Sequence, residues 1–244
     1  MPTDVQKNAK TYGVPGARAR IAGLLRALMP LLIAVFAAGF ICGLIIPFRH
    51  VSPVFIGAVL LVLAFFLFVA NTVYAARISA FFKGARGEDQ VAGLLAALPA
   101  GYHVFHSINC TGRILMAKNG DIDHLVVGPT GLFVIETKCW RGGIVVEKGL
   151  IYVDGRLPHR DPISQARESA RRFAEYLVGR IEHIPTILPV VCFASDNLDV
   201  PQSYIEDVVL CNASKLASVV LQNKAYSLSE HEVAALANQI TQLI

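Results

Sequence analysis

Four charged residues could act together, because two neighbouring strands would bring them to one face: Asp121, Asp123, Glu136 and Lys138. The runs that carry them, residues 121–127 and 132–138, are apolar and rich in β-branched residues, and Gly128-Pro129-Thr130-Gly131 joins them. Proline suits a tight turn and glycine tolerates positive φ, so the sequence predicts a β-hairpin. If Gly128 faces Gly131, Asp123 faces Glu136 and Asp121 faces Lys138.

This cluster of charges needs a compensating partner. Two carboxylates ~4 Å apart repel by ~4 kcal/mol at an effective dielectric near 20. A divalent cation such as Mg²⁺ or Mn²⁺ is one answer, with the lysine activating a water or stabilising developing negative charge. The other answer is a cross-strand ion pair, in which Lys138 neutralises Asp121 or Asp123 and no chemistry follows. The spacing alone leaves both open.

The order of these residues resembles the D…(D/E)xK signature of the restriction-endonuclease-like, or PD-(D/E)xK, nuclease superfamily. Asp123 lies on one strand, and Glu136-Thr137-Lys138 lies on the next. The wider context, with Gly87-Glu88 at the start of a helix and Gln165 in a later helix, is similar to the nuclease-related domain (NERD) family. The resemblance spans residues 84–177.

This resemblance implies a metal-dependent nuclease that hydrolyses phosphodiester bonds in nucleic acid, with DNA the expected substrate. Asp123 and Glu136 would be ligands of Mg²⁺ or Mn²⁺, and Glu88 a further or water-mediated ligand. Lys138 would act on the nucleophile or the transition state, and Gln165 would position water or phosphate. The alternative is a catalytically inactive, membrane-anchored scaffold that keeps the fold and binds nucleic acid or protein.

Glu88 also has a purely structural explanation. Apolar residues at 91, 94, 95 and 98 predict a helix over 88–98. A carboxylate in a first turn gains from the helix dipole, whatever its role in the family. The adjacent residue of the hairpin strand, His124, should face away from Asp123 and be structural.

The charge distribution limits how nucleic acid could bind. Residues 77–244 carry 16 Lys plus Arg and 17 Asp plus Glu, a net charge of about −1, although nucleic-acid binders usually show a basic footprint. A basic footprint would therefore be local, and its candidate members are Arg113, Lys118, Arg167 and Arg171. The last two lie on a predicted helix over 162–183, where Glu168 and Glu175 could equally make them an ordinary solvated surface.

The N-terminal third of the chain is more apolar than the rest. Residues 1–26 hold five Lys or Arg and one acid, and we expect a mobile basic tail there. Residues 27–46 and 54–76 are uncharged runs of 20 and 23 residues, and a 20-residue helix spans about 30 Å. They predict a transmembrane hairpin at 27–76, a linker at 77–83 and a nuclease-related domain at 84–244. The flanking basic residues place both ends in the cytoplasm, so the protein is expected in the inner membrane as a multi-pass protein in the lipid bilayer.

The other segments complete an α/β domain. Strands are predicted at 102–108, 144–146, 150–153, 187–193 and 208–210, and further helices at 213–222 and 229–244. Ser229 and Glu232 form a capping-box pattern at the start of the last helix. The expected fold is a restriction-endonuclease-like mixed β-sheet flanked by helices and preceded by two transmembrane helices.

Overall fold

The computed structural model describes residues 8–45, 52–110, 121–199, 202–224 and 226–243. The chain divides into two compact units. One consists of Met1–Ala17 together with Gly84–Ile244, and the other is Arg18–Lys83. The larger unit therefore takes its residues from two separate parts of the sequence.

Two long helices occupy the apolar part of the sequence. They are α1 (Ala17–Ile45), which contains Pro30, and α2 (Pro53–Ala96). The prediction of two transmembrane spans is not supported, because no helix in the described part of the chain is both long enough and apolar enough to cross a membrane.

The larger unit is built on a mixed seven-stranded sheet with the strand order β1-β2-β3-β4-β7-β9-β8. The strands are β1 (Lys10–Tyr12), β2 (His103–Asn109), β3 (Asp121–Gly128), β4 (Gly131–Lys138), β7 (Ile187–Phe193), β8 (Gln202–Ile205) and β9 (Val208–Asn212). A separate hairpin consists of β5 (Ile144–Glu147) and β6 (Leu150–Val153). Strands β4, β7 and β9 run parallel, so their C-terminal ends meet at one edge of the sheet.

Helices cover both faces of this sheet. The helices α3 (Pro162–Leu177) and α5 (Glu230–Thr241) pack on one face, and α4 (Ala213–Leu221) packs with the C-terminal part of α2 on the other. Side chains of β4 alternate between the two faces of the sheet. Leu132 and Val134 pack against α3 and α5, and Phe133 and Ile135 pack in the core formed with α2 and α4. The predicted α/β fold with a mixed sheet flanked by helices is confirmed.

The hairpin of β3 and β4 has the predicted register. Gly128 faces Gly131, and Leu125 faces Val134. Gly128 is required by close packing, because a Cβ at this position would lie 2.1 Å from the Tyr102 ring. The register that places the candidate site is therefore fixed at the opposite end of the hairpin.

Two strands were not predicted from the sequence. Strand β1 lies in the stretch that we expected to be a mobile tail, and it pairs in parallel with β2. Its first residue donates from Lys10 N to Tyr102 O at 3.0 Å, the preceding Ala9 N donates to Leu98 O at 2.7 Å, and the Tyr12 ring stacks on Phe105. Strand β8, an edge strand paired with β9, was also missed. Strand β1 has only three residues and its partner β2 is distant in sequence. Strand β8 begins with two polar residues, and Glu206-Asp207, which joins it to β9, has no glycine or proline to signal a turn.

Candidate active site

Five predicted site residues lie around the C-terminal end of β4, and all are partly buried: Glu88, Asp123, Glu136, Lys138 and Gln165. Glu136 and Lys138 belong to β4 itself, Asp123 to the neighbouring strand, Gln165 to α3 and Glu88 to α2. In α/β sheets, ligands bind at the C-terminal ends of parallel strands, which is where this group lies.

The Asp123 carboxylate accepts a hydrogen bond from β4 just beyond the end of the backbone ladder between β3 and β4. The last paired residues are His124 and Ile135. One step further, the Thr137 backbone N–H donates to Asp123 Oδ2 at 2.7 Å, instead of to a backbone carbonyl. This bond holds Asp123 beside the Glu136-Thr137-Lys138 segment. The side chain of Asp121, the other predicted acid, lies outside what the structure describes.

Strands β2 and β3 are irregular next to Asp123. Regular alternation puts residues i and i+3 on opposite faces. Four residues of these strands nevertheless share one core cluster: Phe105, Ile108, Ile122 and Leu125. The break falls between them, at Ser107 and Asp123, and Ser107 has a φ of 54°, which is uncommon for a residue with a side chain. Irregularities of this kind redirect side chains and are frequent at functional sites.

Lys138 connects the two sides of the site. Its Nζ donates to Glu136 Oε1 at 2.5 Å and to Gln165 Oε1 at 2.7 Å. The side chains of Lys138 and Glu136 are only 16% and 13% exposed, so water screens this ion pair less than a surface pair. The lysine therefore pairs with Glu136 and not with Asp123, whereas the predicted alternative of a pair with Asp121 lies outside the described side chains.

Glu88 approaches the site because α2 packs closely against the ends of β4 and β7. A Cβ on Gly87 would lie 2.6 Å from the Cβ of Cys139, so only glycine permits this approach. Gln90 adds a bond from its Nε2 to Ala194 O at 2.8 Å. The helix-dipole explanation of Glu88 is wrong, since α2 begins at Pro53 and Glu88 is not in its first turn.

Asp123 is electrostatically strained. Burial raises the pKa of its carboxyl well above the usual value, and the nearby Glu136 and Glu88 raise that pKa further. The Thr137 N–H and Lys138 act in the opposite direction and lower the pKa, but they do not overcome the rise. An acid perturbed by burial and by two other acids is typical of a site that holds a cation.

A buried histidine pair lies next to the acids in sequence. His106 Nδ1 and His124 Nδ1 are 2.8 Å apart, and both rings are inaccessible to solvent or nearly so. Burial lowers the pKa of His106 to about 4, and burial with the neighbouring His106 lowers the pKa of His124 to about 3. The pair is neutral at physiological pH and has the structural role predicted for His124.

The predicted nucleic-acid contacts gain little support. Arg113 and Lys118 lie outside the described residues. Arg167 bonds to Glu206 and Asp207 at 2.5 and 2.6 Å, and Arg171 pairs with acids one turn away on α3, Glu168 and Glu175. The two arginines are thus neutralised within the chain, as in the solvated-surface interpretation.

Within the described residues, no group of three or more His, Cys, Asp or Glu side chains is arranged to hold a metal ion. The oxygen donors of Asp123 and Glu136 nevertheless suit a hard cation. Mg²⁺ commonly uses only one or two protein carboxylates and keeps several waters, so a site of this kind needs no complete protein cage.

The sequence that carries these acids and the lysine is similar to sequences of known proteins. Residues 83–194 match the nuclease-related domain. The matched residues include β2, β3, β4, α3 and β7 and all five site residues, in agreement with the resemblance seen in the sequence. An uncharacterised protein of Bacillus anthracis is 39% identical over 66 residues, which cover 25% of this chain and 29% of the relative. The chain thus spans less than a third of that relative's length, and no solved structure matches it.

Two contacts of the site were not foreseen from the sequence. The Gly16 backbone N–H donates to Glu88 Oε2 at 2.9 Å, and Ser107 Oγ donates to Val14 O at 3.0 Å. Both come from the segment that follows β1. Apart from the two glycines in Gly13-Val14-Pro15-Gly16, no residue pattern signals these contacts, because every residue except proline has the same backbone donor and acceptor.

Proposed function

We propose that the protein is a metal-dependent nuclease that hydrolyses phosphodiester bonds in nucleic acid, with DNA as the expected substrate. The observation that carries this proposal is the convergence of Asp123, Glu136 and Lys138 at the end of β4, where the Thr137 N–H donates to Asp123 at 2.7 Å and Lys138 Nζ donates to Glu136 at 2.5 Å. Burial, Glu136 and Glu88 raise the pKa of Asp123, and Lys138 offsets this rise only in part, which leaves room for a bound cation. The match of residues 83–194 to the nuclease-related domain supports the same reaction class.

The proposed ligands of Mg²⁺ or Mn²⁺ are Asp123 and Glu136, with Glu88 as a further or water-mediated ligand. The Thr137 N–H donates to Asp123 Oδ2, and we assign the other carboxylate oxygen of Asp123 as the ligand of the ion. When bound, such an ion supplies Lewis-acid stabilisation of charge on phosphate and lowers the pKa of bound water.

The remaining residues act on the attacking water and the phosphate. Lys138 carries the positive charge that stabilises the transition state or the nucleophile. Gln165 Oε1 accepts a hydrogen bond from Lys138 Nζ at 2.7 Å, which fixes the direction of the ammonium group. The side-chain N–H groups of Gln165 are then directed to water or phosphate. A pre-oriented charge in a poorly solvated site stabilises a transition state better than a mobile one.

The test uses the full chain and separates metal binding from chemistry. Mn²⁺ binding is measured by calorimetry, and cleavage of single- and double-stranded DNA and RNA is measured with Mg²⁺, Mn²⁺ or EDTA. Lys138→Ala should lower cleavage by on the order of 100-fold or more while metal binding is kept, because it removes charge stabilisation and no ligand. Asp123→Ala should lose both.

Lys215→Ala removes an exposed lysine on α4 and serves as the control, with no expected change. A wild-type protein that binds no divalent ion and cuts none of these substrates would overturn the nuclease proposal. Cleavage that survived Lys138→Ala unchanged would assign the reaction to another site.

The second candidate function is the inactive scaffold that binds nucleic acid or protein. It is favoured by the ion pair between Lys138 and Glu136, since a lysine engaged with an acid at 2.5 Å can serve stability alone. In that case, Lys138→Ala would destabilise the fold, and neither the wild type nor the variant would cleave nucleic acid.

A further inference from the structure

The segment Gly13–Gly16, which follows β1, reaches the candidate active site at two points. The Gly16 N–H donates to Glu88 Oε2 at 2.9 Å. Two residues earlier, Val14 O accepts a hydrogen bond from Ser107 Oγ at 3.0 Å. One contact is to an acidic site residue, and the other is to the irregular position opposite Asp123. The segment therefore touches both sides of the acidic cluster.

Close packing holds this segment in place. Gly16 has a φ of +62°, and a Cβ on it would lie 3.0 Å from both Cα and Cβ of Ala85. Ala85 is 1% exposed and lies one turn before Glu88 on α2. A Cβ on Gly13 would lie 2.6 Å from His106 O, in the strand that carries Ser107. Two glycines thus let the chain lie directly against the elements that carry Glu88 and Ser107.

One partner of the segment, Ser107, is at the irregular position of β2. Ser107 has a φ of 54°, a conformation that persists only where neighbouring groups hold it. The register pairs His106 with His124 and Ile108 with Ile122, so Ser107 lies opposite Asp123. The hydrogen bond from Ser107 to Val14 therefore also stabilises the strand conformation that directs Asp123.

We propose that the Gly13–Gly16 segment is a positioning element of the active site, in which the Gly16 amide orients the Glu88 carboxylate and Val14 holds Ser107 opposite Asp123. This inference rests on the proposed function and deepens it. It assigns a role in metal binding to residues outside 83–194, the part that matches the nuclease-related domain. The alternative is that the same contacts only stabilise the fold.

Gly16→Ala in the full chain is the direct test. The added Cβ would meet Ala85 and shift the amide away from Glu88, which weakens Mn²⁺ binding and cleavage. Loss of an outer partner of a metal ligand costs roughly 10- to 100-fold in metal affinity or activity. Gly179→Ala is the matched control, because Gly179 also has a positive φ, at +73°, but lies in open space. It should leave both quantities unchanged.

A double-mutant cycle shows whether Gly16 acts through Glu88. Gly16→Ala is measured in the wild type and in a Glu88→Gln background, with Mn²⁺ affinity as the readout. If Gly16 acts by orienting Glu88, the two effects are not additive, and Gly16→Ala costs much less in that background. Equal fold-losses in both backgrounds would overturn the inference and assign the effect to general destabilisation.

A spectroscopic readout separates this inference from the proposed function. NMR of the metal-free protein at constant pH detects the side-chain carboxyl carbon of Glu88. The signal is assigned as the one that is missing from the spectrum of Glu88→Gln. Its chemical shift should change in Gly16→Ala and stay constant in Gly179→Ala. An unchanged shift in Gly16→Ala would overturn the positioning role, whether or not the protein binds a metal. A changed shift in a protein that neither binds Mn²⁺ nor cleaves nucleic acid would keep the positioning role and overturn the nuclease.

Discussion

At the scale of single residues, Asp123 shows a conflict between stability and function. Its carboxyl is surrounded by protein and lies near Glu136 and Glu88, which raise its pKa. One hydrogen bond from the Thr137 backbone compensates only in part. Proteins tolerate such conflicts where a ligand relieves them.

Replacement of Asp123 by Asn should stabilise the metal-free protein. Between the ordinary carboxyl pKa of 3.8 and the raised value, the folded state holds a proton that the unfolded state has lost, so stability falls as the pH rises through this window. Asn carries no charge and can still accept the bond from Thr137. We therefore expect Asp123→Asn to melt above the wild type at pH 7, with the difference vanishing below pH ~4.

Mn²⁺ should reverse this order. At 100 times its Kd, a ligand adds ~2.7 kcal/mol to the stability of the state that binds it, and only the wild type would gain this. Glu147→Gln removes an exposed carboxylate of β5 and should change neither melting curve. A lower melting temperature for metal-free Asp123→Asn at pH 7 would show that the ionised carboxylate is stabilising.

The histidine pair should make the fold acid-sensitive. The pKa values of His106 and His124 are lowered to about 4 and about 3, so the unfolded chain takes up protons first as the pH falls below ~6.5. Each histidine can then remove up to ~1.4 kcal/mol of stability per pH unit. The double variant His106→Leu/His124→Leu should lose less stability than the wild type between pH 6.5 and 4, as measured by urea unfolding at each pH.

The double variant is used because a single replacement leaves the other histidine buried without its partner. In part of this pH range, Asp123 raises the stability of the folded state as the pH falls, which opposes the effect of the histidines. The stabilities of the variant and the wild type are therefore compared at each pH. Parallel stability curves for the two proteins would contradict neutral burial of the pair.

At the scale of elements, the site depends on how closely α2 approaches the ends of β4 and β7. Gly87 permits the contact with Cys139, and Gln90 fixes the helix to Ala194 O. The same strand ends are joined by the bond from Ala194 N to Lys138 O at 2.9 Å. A small shift of α2 would therefore move Glu88 relative to residues that remain in place.

Gly87→Ala should test this arrangement. A Cβ 2.6 Å from the Cβ of Cys139 forces the helix or the strand to shift, and overpacking of this kind costs about 1–3 kcal/mol. We expect lower stability together with weaker Mn²⁺ binding. Gly93→Ala, on the same helix and with open space around it, should instead be neutral or slightly stabilising. Thermal melts and calorimetry measure both effects, and a Gly87→Ala protein with unchanged metal affinity would exclude a role of this contact in the site.

At the scale of the whole molecule, the unit that carries the site is discontinuous in sequence. Residues 1–17 belong to it although residues 18–83 form a separate unit. Strand β1 covers the edge of β2, and Tyr12 bonds to His103 Nδ1 at 3.1 Å and stacks on Phe105. A fragment that begins near residue 82 would therefore lack an edge strand and the Gly13–Gly16 segment.

Removal of residues 1–16 should destabilise the larger unit. It exposes the edge of β2 and the apolar surface under the partly buried Tyr12, and full burial of one large side chain, which is the upper limit here, contributes about 1.5–3 kcal/mol. Lys10→Ala is the control, because Lys10 is exposed and its contribution to β1 is through the backbone. Thermal denaturation should show a lower midpoint for the truncated chain alone. An equal midpoint would mean that β1 adds nothing to the stability of the sheet.

The hairpin and most strands of the sheet could be predicted from the amino-acid sequence. The Gly128-Pro129-Thr130-Gly131 turn and the alternation around it were sufficient for the register from His124 to Gly131. Most strands and helices of the larger unit were recognisable from their apolar patterns, as was the capping box of Ser229 and Glu232. The single helix α2 was predicted as three separate segments. These features depend on local backbone preferences and on which face is apolar, and both are written in adjacent residues.

The tertiary structure alone decided the contacts that shape the site. The bond from Thr137 to Asp123 and the approach of Gly16 to Glu88 join groups from different elements, and the third contact is the pairing of Lys138 with Glu136 on its own strand. Two of the three are made by backbone amides, which every residue except proline has, so no residue pattern can specify them. Their geometry follows from packing of the whole unit, which short segments of sequence do not contain.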